Sequence, residues 1–243
     1  MIDGHCHLQF EQFDEDREQL ISKIEEKLDL AIIAGTDLKD NREAKNISES
    51  SEELIYCQGA HPLFDHPDLE EIKEQINENE PAAIGEIGLD HNYITADEER
   101  KESEEIFREM LELAEAEDLN VVVHSRNAER KAFKIVQEYD VKGFFHCFNG
   151  RPELVEEIIS EGHLIGVTGQ VLHSTRVKNI VEKVPLESLL TETDSPYLGE
   201  YDRNTPLFVE KVTEEVSEIK DVDVEEVEAS VEENVEEFFR YYC

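Results

Sequence analysis

Eight short runs of apolar residues alternate with longer amphipathic stretches along the whole chain, and this alternation limits the fold more than any other feature. The runs cover Met1–His5, Leu30–Ala34, Leu54–Gly59, Ala82–Ile87, Asn120–His124, Lys142–His146, Leu164–Val167 and Leu189–Thr191. Continuous Val/Ile/Leu runs bounded by glycine or polar residues read as strands buried on both faces. Between them apolar residues recur at helical spacing, as at Phe107, Met110, Leu111 and Ala114, and again at Val224, Val227, Val231, Val235 and Phe238. Eight strands separated by helices fit a closed α/β barrel, the (β/α)8 TIM barrel, better than an open sheet. A length of 243 residues, with no internal repeat and no low-complexity linker, predicts one barrel domain over residues 1–243.

Polar residues of unusual type gather at the ends of these runs, where such a barrel builds its active site. The first run ends in His5-Cys6-His7, and residues two apart in an extended segment point the same way. The fourth carries Glu86 between Gly85 and Gly88, followed by Asp90. The fifth ends in His124-Ser125-Arg126, the sixth in His146-Cys147, and the eighth leads into Glu192-Thr193-Asp194. Any one of these has an ordinary structural reading, but ligand-type residues at five strand ends do not. Imidazole and carboxylate together bind borderline divalent cations such as Zn²⁺ or Mn²⁺. Four histidines with Glu86 and Asp194 exceed the needs of one tetrahedral ion, and a two-ion site with Glu86 as the bridge uses them all.

The charge balance bears on solvent and partners. The chain has 23 Lys+Arg against 61 Asp+Glu, a formal charge of −38. The acids are spread along the chain, as on a solvated surface adapted to a saline, halophile-type cytosol. Four scattered cysteines, Cys6, Cys57, Cys147 and Cys243, form no CxxC and suit reduced thiols. No apolar run is long enough to span a membrane, and Met1-Ile2-Asp3-Gly4-His5 lacks the basic start of a signal peptide. A cytoplasmic protein is expected.

The ordered series HCH, GAHP, GEIGLD, HSR, HCFNG and ETDSPYL, closed by Glu233-Asn234-Val235 and Phe238, resembles the TatD family of metal-dependent hydrolases, among the amidohydrolase-like barrels. The resemblance spans the chain. It implies a TIM barrel holding two divalent ions (Mg²⁺, Mn²⁺ or Zn²⁺) and acting as a deoxyribonuclease, 3′→5′ or endonucleolytic. By position, His5, His7 and Asp194 would hold one ion, His124 and His146 the other, with Glu86 shared. The family also places His61 in the substrate site. In the mechanism expected here Asp194 accepts the proton of the attacking water, and His61 or a second water protonates the leaving 3′ oxygen, unless His61 only stabilises its turn. His91-Asn92 stands where the family has an aromatic residue after GLD, and Asn120 where it has proline.

Arg126 and Arg203 are the expected phosphate contacts, although Arg126 could instead pair with a carboxylate such as Glu129. The acidic segment Gly199–Asn204 weakens the case for tight nucleic-acid binding. Single-stranded DNA or 3′ ends are therefore the expected substrate, met by a monomer. The alternatives are an ester or amide hydrolase, such as one removing D-amino acids from tRNA, and a metal-binding barrel without turnover. Cys6 and Cys147 are expected to pack as small apolar groups, and His66, His91, His163 and His173 to be surface or core histidines.

Overall fold

A computed structural model of the chain describes residues 1–199 and 203–239. Its strands are β1 (Ile2–Cys6), β2 (Leu30–Ala34), β3 (Leu54–Cys57), β4 (Ile84–Gly88), β5 (Val121–His124), β6 (Gly143–Phe145), β7 (Leu164–Val167) and β8 (Leu189–Thr191). The helices are α1 (Arg17–Lys27), α2 (Leu38–Ser48), α3 (Leu69–Asn79), α4 (Asp97–Ala116), α5 (Glu129–Val136), α6 (Pro152–Ser160), α7 (Thr175–Lys183), α8 (Val209–Lys220) and α9 (Val224–Phe239). Each expected strand is present, with ends shifted by a few residues where the chain bends toward the mouth.

All strand pairs are parallel, in the orders β1-β2-β3 and β4 to β8. Single bridges join the two sheets: Gln58 to Ile84 between β3 and β4, and Cys6, the last residue of β1, to Ser195 beyond the end of β8. The second bridge is reinforced by Asp194 N donating to His5 O at 3.0 Å and His7 N donating to Ser195 O at 2.7 Å. A (β/α)8 barrel results, with every residue of β1, β2 and β4 buried. That double burial is why these strands read as unbroken apolar runs.

The helices lay the apolar faces read from the sequence onto the barrel. Phe107, Met110, Leu111 and Ala114 of α4 are buried, as are Val227, Val231, Val235 and Phe238 of α9. Asp37 caps α2 by accepting from the backbone N–H of Lys39 and Asp40. From α2, buried Asn41 bonds both backbone groups of Gly59, at 3.0 Å each, and so fixes the turn that leads into His61. Among the described residues no helix is long and apolar enough to cross a membrane. Cys243 and the Glu200, Tyr201 and Asp202 of the acidic segment lie outside the described residues.

Candidate metal centre

Side chains from five strand ends meet at the mouth of the barrel, with Glu86 at their middle. Its carboxylate is 2% exposed. One oxygen, Oε2, lies 3.4 Å from His5 Nε2 and 3.5 Å from His7 Nε2. The other, Oε1, lies 2.7 Å from both His124 Nδ1 and His146 Nε2. Asp194 joins the first group, its Oδ1 standing 3.8 Å from His5 Nε2 and 3.6 Å from His7 Nε2. The two imidazole nitrogens within each group are 3.3 and 3.4 Å apart.

A cation ~2.1 Å from each donor sets neighbouring donor atoms roughly 3.0–3.4 Å apart. The spacings around His5, His7 and Asp194, from 3.3 to 3.8 Å, are close to that range. Glu86 Oε1, by contrast, is in direct hydrogen-bond contact with His124 and His146 at 2.7 Å, and these contacts would open to admit an ion. Two of the six side chains have their rotation fixed from outside, and a third is stacked within the group. His7 Nδ1 bonds Ala34 O at 2.9 Å, which turns Nε2 to the centre. Nε2 of His124 bonds Asp90 at 3.0 Å, which turns Nδ1 inward. His146 stacks on His5 with ring centres 4.0 Å apart. Such outer contacts hold ligand imidazoles in one tautomer and orientation.

The charges agree. Burial by itself would raise the Glu86 carboxyl, but the cationic field of His146 and His61 and the bonds from His124 and His146 hold it well below the usual carboxylate range. Asp194 is likewise held down, against its burial, by His7 and the neighbouring imidazoles. His146 is held well above its ordinary value by Glu86 and Glu192 despite burial, whereas burial beside His146 pushes His5 down to about 4. The imidazoles themselves supply the positive charge that two buried carboxylates require, and a divalent cation would supply the same charge while displacing the imidazole protons.

His61 occupies the same mouth in a different role. Its Nδ1 accepts the backbone N–H of Leu63 at 3.2 Å, leaving the ring proton on Nε2, which faces Glu86 Oε1 at 3.5 Å. In that tautomer it is a proton donor toward the centre.

A cavity of about 310 Å³ opens over His124, His146 and Asp194. Arg126 lines it, as the phosphate-contact reading expects, with its guanidinium carbon 5.0 Å above the Tyr93 ring. Arg203 is a correction. Its guanidinium makes two bonds to Asp16, at 2.7 and 2.6 Å, and sits over the Phe13 ring, so it is spent on holding two loops together. Arg176 of α7 lines the cavity in its place. Cys6 packs as expected, with its thiol on Ile32 O, but Cys147 lines the cavity. Cys147 has φ 46°, outside strand geometry, so the alternation of strand side chains does not govern it.

Two buried carboxylates beside the centre were not assigned a role by sequence reasoning. Asp90 orients His124, and Glu192 accepts the backbone N–H of Cys147 and faces His146 Nδ1 at 3.7 Å. Both stand in quoted motifs, and a carboxylate at a strand end beside a ligand histidine is the signal that could have found them.

Residues 2–240 match the family model described as TatD related DNase. An uncharacterized metal-dependent hydrolase of Methanocaldococcus jannaschii is 37% identical over 98% of this chain and 96% of its own length. The deoxyribonuclease TATDN3 of Homo sapiens is 29% identical over 93% of this chain and 90% of its own. Among solved structures, the TatD homologue YJJV of Escherichia coli superposes with a TM-score of 0.91 at 26% identity, covering 100% of this chain and 98% of that one.

Proposed function

The chain belongs to the TatD family of metal-dependent hydrolases, and from that premise we propose that it is a deoxyribonuclease using two divalent ions at the barrel mouth. The observation that carries the reading is the division of Glu86, whose two oxygens face separate imidazole pairs. His5, His7 and Asp194 would hold one ion, His124 and His146 the other, with Glu86 common to both. The imidazole-rich donor set favours Mn²⁺ or Zn²⁺ over Mg²⁺.

Bound divalent ions supply Lewis acidity at the phosphate and ease the loss of a proton from the attacking water. The chain's own residues do the rest. Asp194, held ionised, accepts the water's proton. Arg126 and Arg176, on the wall of the 310 Å³ cavity, hold the phosphate oxygens as their charge grows. His61, neutral with its one ring proton on Nε2, donates a hydrogen bond to the departing 3′ oxygen, and the proton taken up by Asp194 returns to that oxygen through a second water. So few cations on so acidic a surface favour short contacts with a 3′ end or a single strand over wrapping of a long duplex.

Metal analysis of the purified protein, with turnover of 3′-labelled single-stranded DNA and of D-aminoacyl-tRNA, tests this reading. Glu86→Ala is expected to abolish DNA hydrolysis, and Asp194→Asn to slow it by orders of magnitude with the fold intact. Near wild-type rates from either variant would overturn the mechanism. Faster turnover of the aminoacyl ester would transfer the site to ester hydrolysis.

A further inference from the structure

A second cavity, about 590 Å³, opens beside the metal centre and takes no part in the chemistry above. Ala60 and Pro62, which flank His61, and Gly88 at the end of β4 form its inner wall. Among the described residues the exposed large apolar side chains are Leu63, Phe64, Tyr93, Tyr197 and Leu198, all in loops that follow β3, β4 and β8 at the mouth. Three of the five, Leu63, Phe64 and Tyr93, line this cleft. A chain of charge −38 has abundant polar residues for its loops, so aromatic faces concentrated at one opening point to a flat, apolar-faced ligand.

We infer that this cleft is a nucleobase subsite, in which a base next to the reacting phosphate stacks on Phe64 and Tyr93. The inference rests on the deoxyribonuclease reading and specifies how that substrate is held. Charge separates the two cavities. Asp65, Glu99 and Glu102 line the cleft and no lysine or arginine does, so a phosphate is repelled from it. Arg126 and Arg176 line the neighbouring cavity, where a phosphate is attracted. Tyr93 stands at the divide, under Arg126, and the Phe64 ring is centred 5.7 Å from that of His61.

Ser103 adds a second observation. It is 7% exposed, lies in the cleft wall, and its Oγ has no hydrogen-bond partner. A buried hydroxyl without a partner is costly unless a ligand supplies one. A base edge does so. With carboxylates beside it, the cleft favours an edge that donates, so a cytosine, with its amino group, binds better than a thymine, with O4 at that position.

The test compares steady-state kinetics on single strands ending in dC, in dT, or in two abasic residues around the terminal linkage. Phe64→Ala and Tyr93→Ala, both at exposed positions, are expected to raise KM on base-bearing ends on the order of tenfold with kcat unchanged. On the abasic strand wild type and Phe64→Ala should coincide, whereas Tyr93→Ala, which also removes the ring beneath Arg126, should lose less there than on base-bearing ends. Ser103→Ala should raise KM on dC and dT ends alike, because its hydroxyl can donate or accept, and leave the preference for dC, which the carboxylates set, in place. Equal KM changes on base-bearing and abasic ends would overturn the subsite and leave the nuclease reading standing. Failure of the wild type to cleave any strand would remove the nuclease reading and the subsite with it. A dimer dissolved by Phe64→Ala with DNA kinetics unaltered would give the cleft to a second copy of the chain and likewise overturn the proposal.

Discussion

Asp90 stands 3.0 Å from Nε2 of His124, while the opposite ring nitrogen of that histidine stands 2.7 Å from Glu86 Oε1. One carboxylate thereby decides which nitrogen faces the centre. Asp90 is itself fixed, because its other oxygen accepts the backbone N–H of Asn92 at 2.8 Å and of Tyr93 at 2.7 Å. The turn after β4 thus sets the tautomer of a histidine on β5. Asp90→Asn keeps the shape but offers an amide whose donor end can face Nε2. Affinity for Mn²⁺ or Zn²⁺, read by calorimetric titration, should fall roughly 10–100-fold with the circular dichroism spectrum unchanged. An unchanged affinity would mean that His124 is held by other contacts.

Gly59 lies against the strand that carries Glu86. A Cβ there would come within 2.5 Å of Glu86 O and 2.6 Å of Glu86 N, both backbone atoms that no rotamer change can move aside. Gly59→Ala should therefore displace Glu86. The expected cost is ~1–3 kcal/mol of stability and up to ~100-fold in kcat. Denaturant melts and initial rates on 3′-labelled DNA read the two effects. A variant as stable and as active as wild type would show that β4 yields without disturbing the centre.

The barrel, and the six side chains that meet at its mouth, could be read from the sequence because both leave local marks. Strands buried on both faces become unbroken apolar runs, and a glutamate among glycines at the end of one has no other local reason to be there. What stayed hidden depends on contacts between distant segments. Asp3, in β1, accepts from the backbone N–H and hydroxyl of Thr193, 190 residues away, and so ties the strand bearing His5 to the segment bearing Asp194. Arg203 finds Asp16 across 187 residues, so no spacing in its own motif could show that it was occupied. Arg176 reaches the cavity from α7, and Cys147 is turned into it by a left-handed backbone; neither leaves a motif.

His163 makes the fold sensitive to mild acid. It is 4% exposed, lies against the rings of Phe133 and Phe145, and accepts the backbone N–H of Gly143 at 2.9 Å, which requires a neutral ring. Burial, with Lys142 nearby, pushes it from its ordinary 6.5 down to about 4. The unfolded chain therefore takes up this proton first as pH falls. The contribution is complete above pH 6.5 and is lost progressively toward pH 4, by as much as ~3 kcal/mol. His163→Gln keeps an acceptor and removes the titration. The difference in melting temperature between wild type and variant should change across that window. A constant difference would refute this assignment.

Salt acts on the surface and on the substrate in opposite directions. With a formal charge of −38, the helix faces repel one another at low ionic strength. Pairs such as Arg130 with Glu157 and Arg108 with Glu138 neutralise single acids, and 23 cations cannot neutralise 61. The screening length falls from ~10 Å at 0.1 M to ~3 Å at 1 M, so the melting temperature should climb over that interval. DNA binding should lose little by comparison. If Arg126 and Arg176 are the two phosphate contacts proposed above, a single strand gives a slope of roughly −1.4 in log affinity against log salt, far shallower than for a protein with many phosphate contacts. Saturating substrate removes even that loss, so kcat should rise from ~0.1 M to beyond ~1 M KCl as the folded state gains stability. Thermal melts and initial rates over one KCl series decide the matter. A melting temperature that stays flat or falls, with a rate that peaks at low salt, would show that the acidic surface serves a cationic partner instead of a saline solvent.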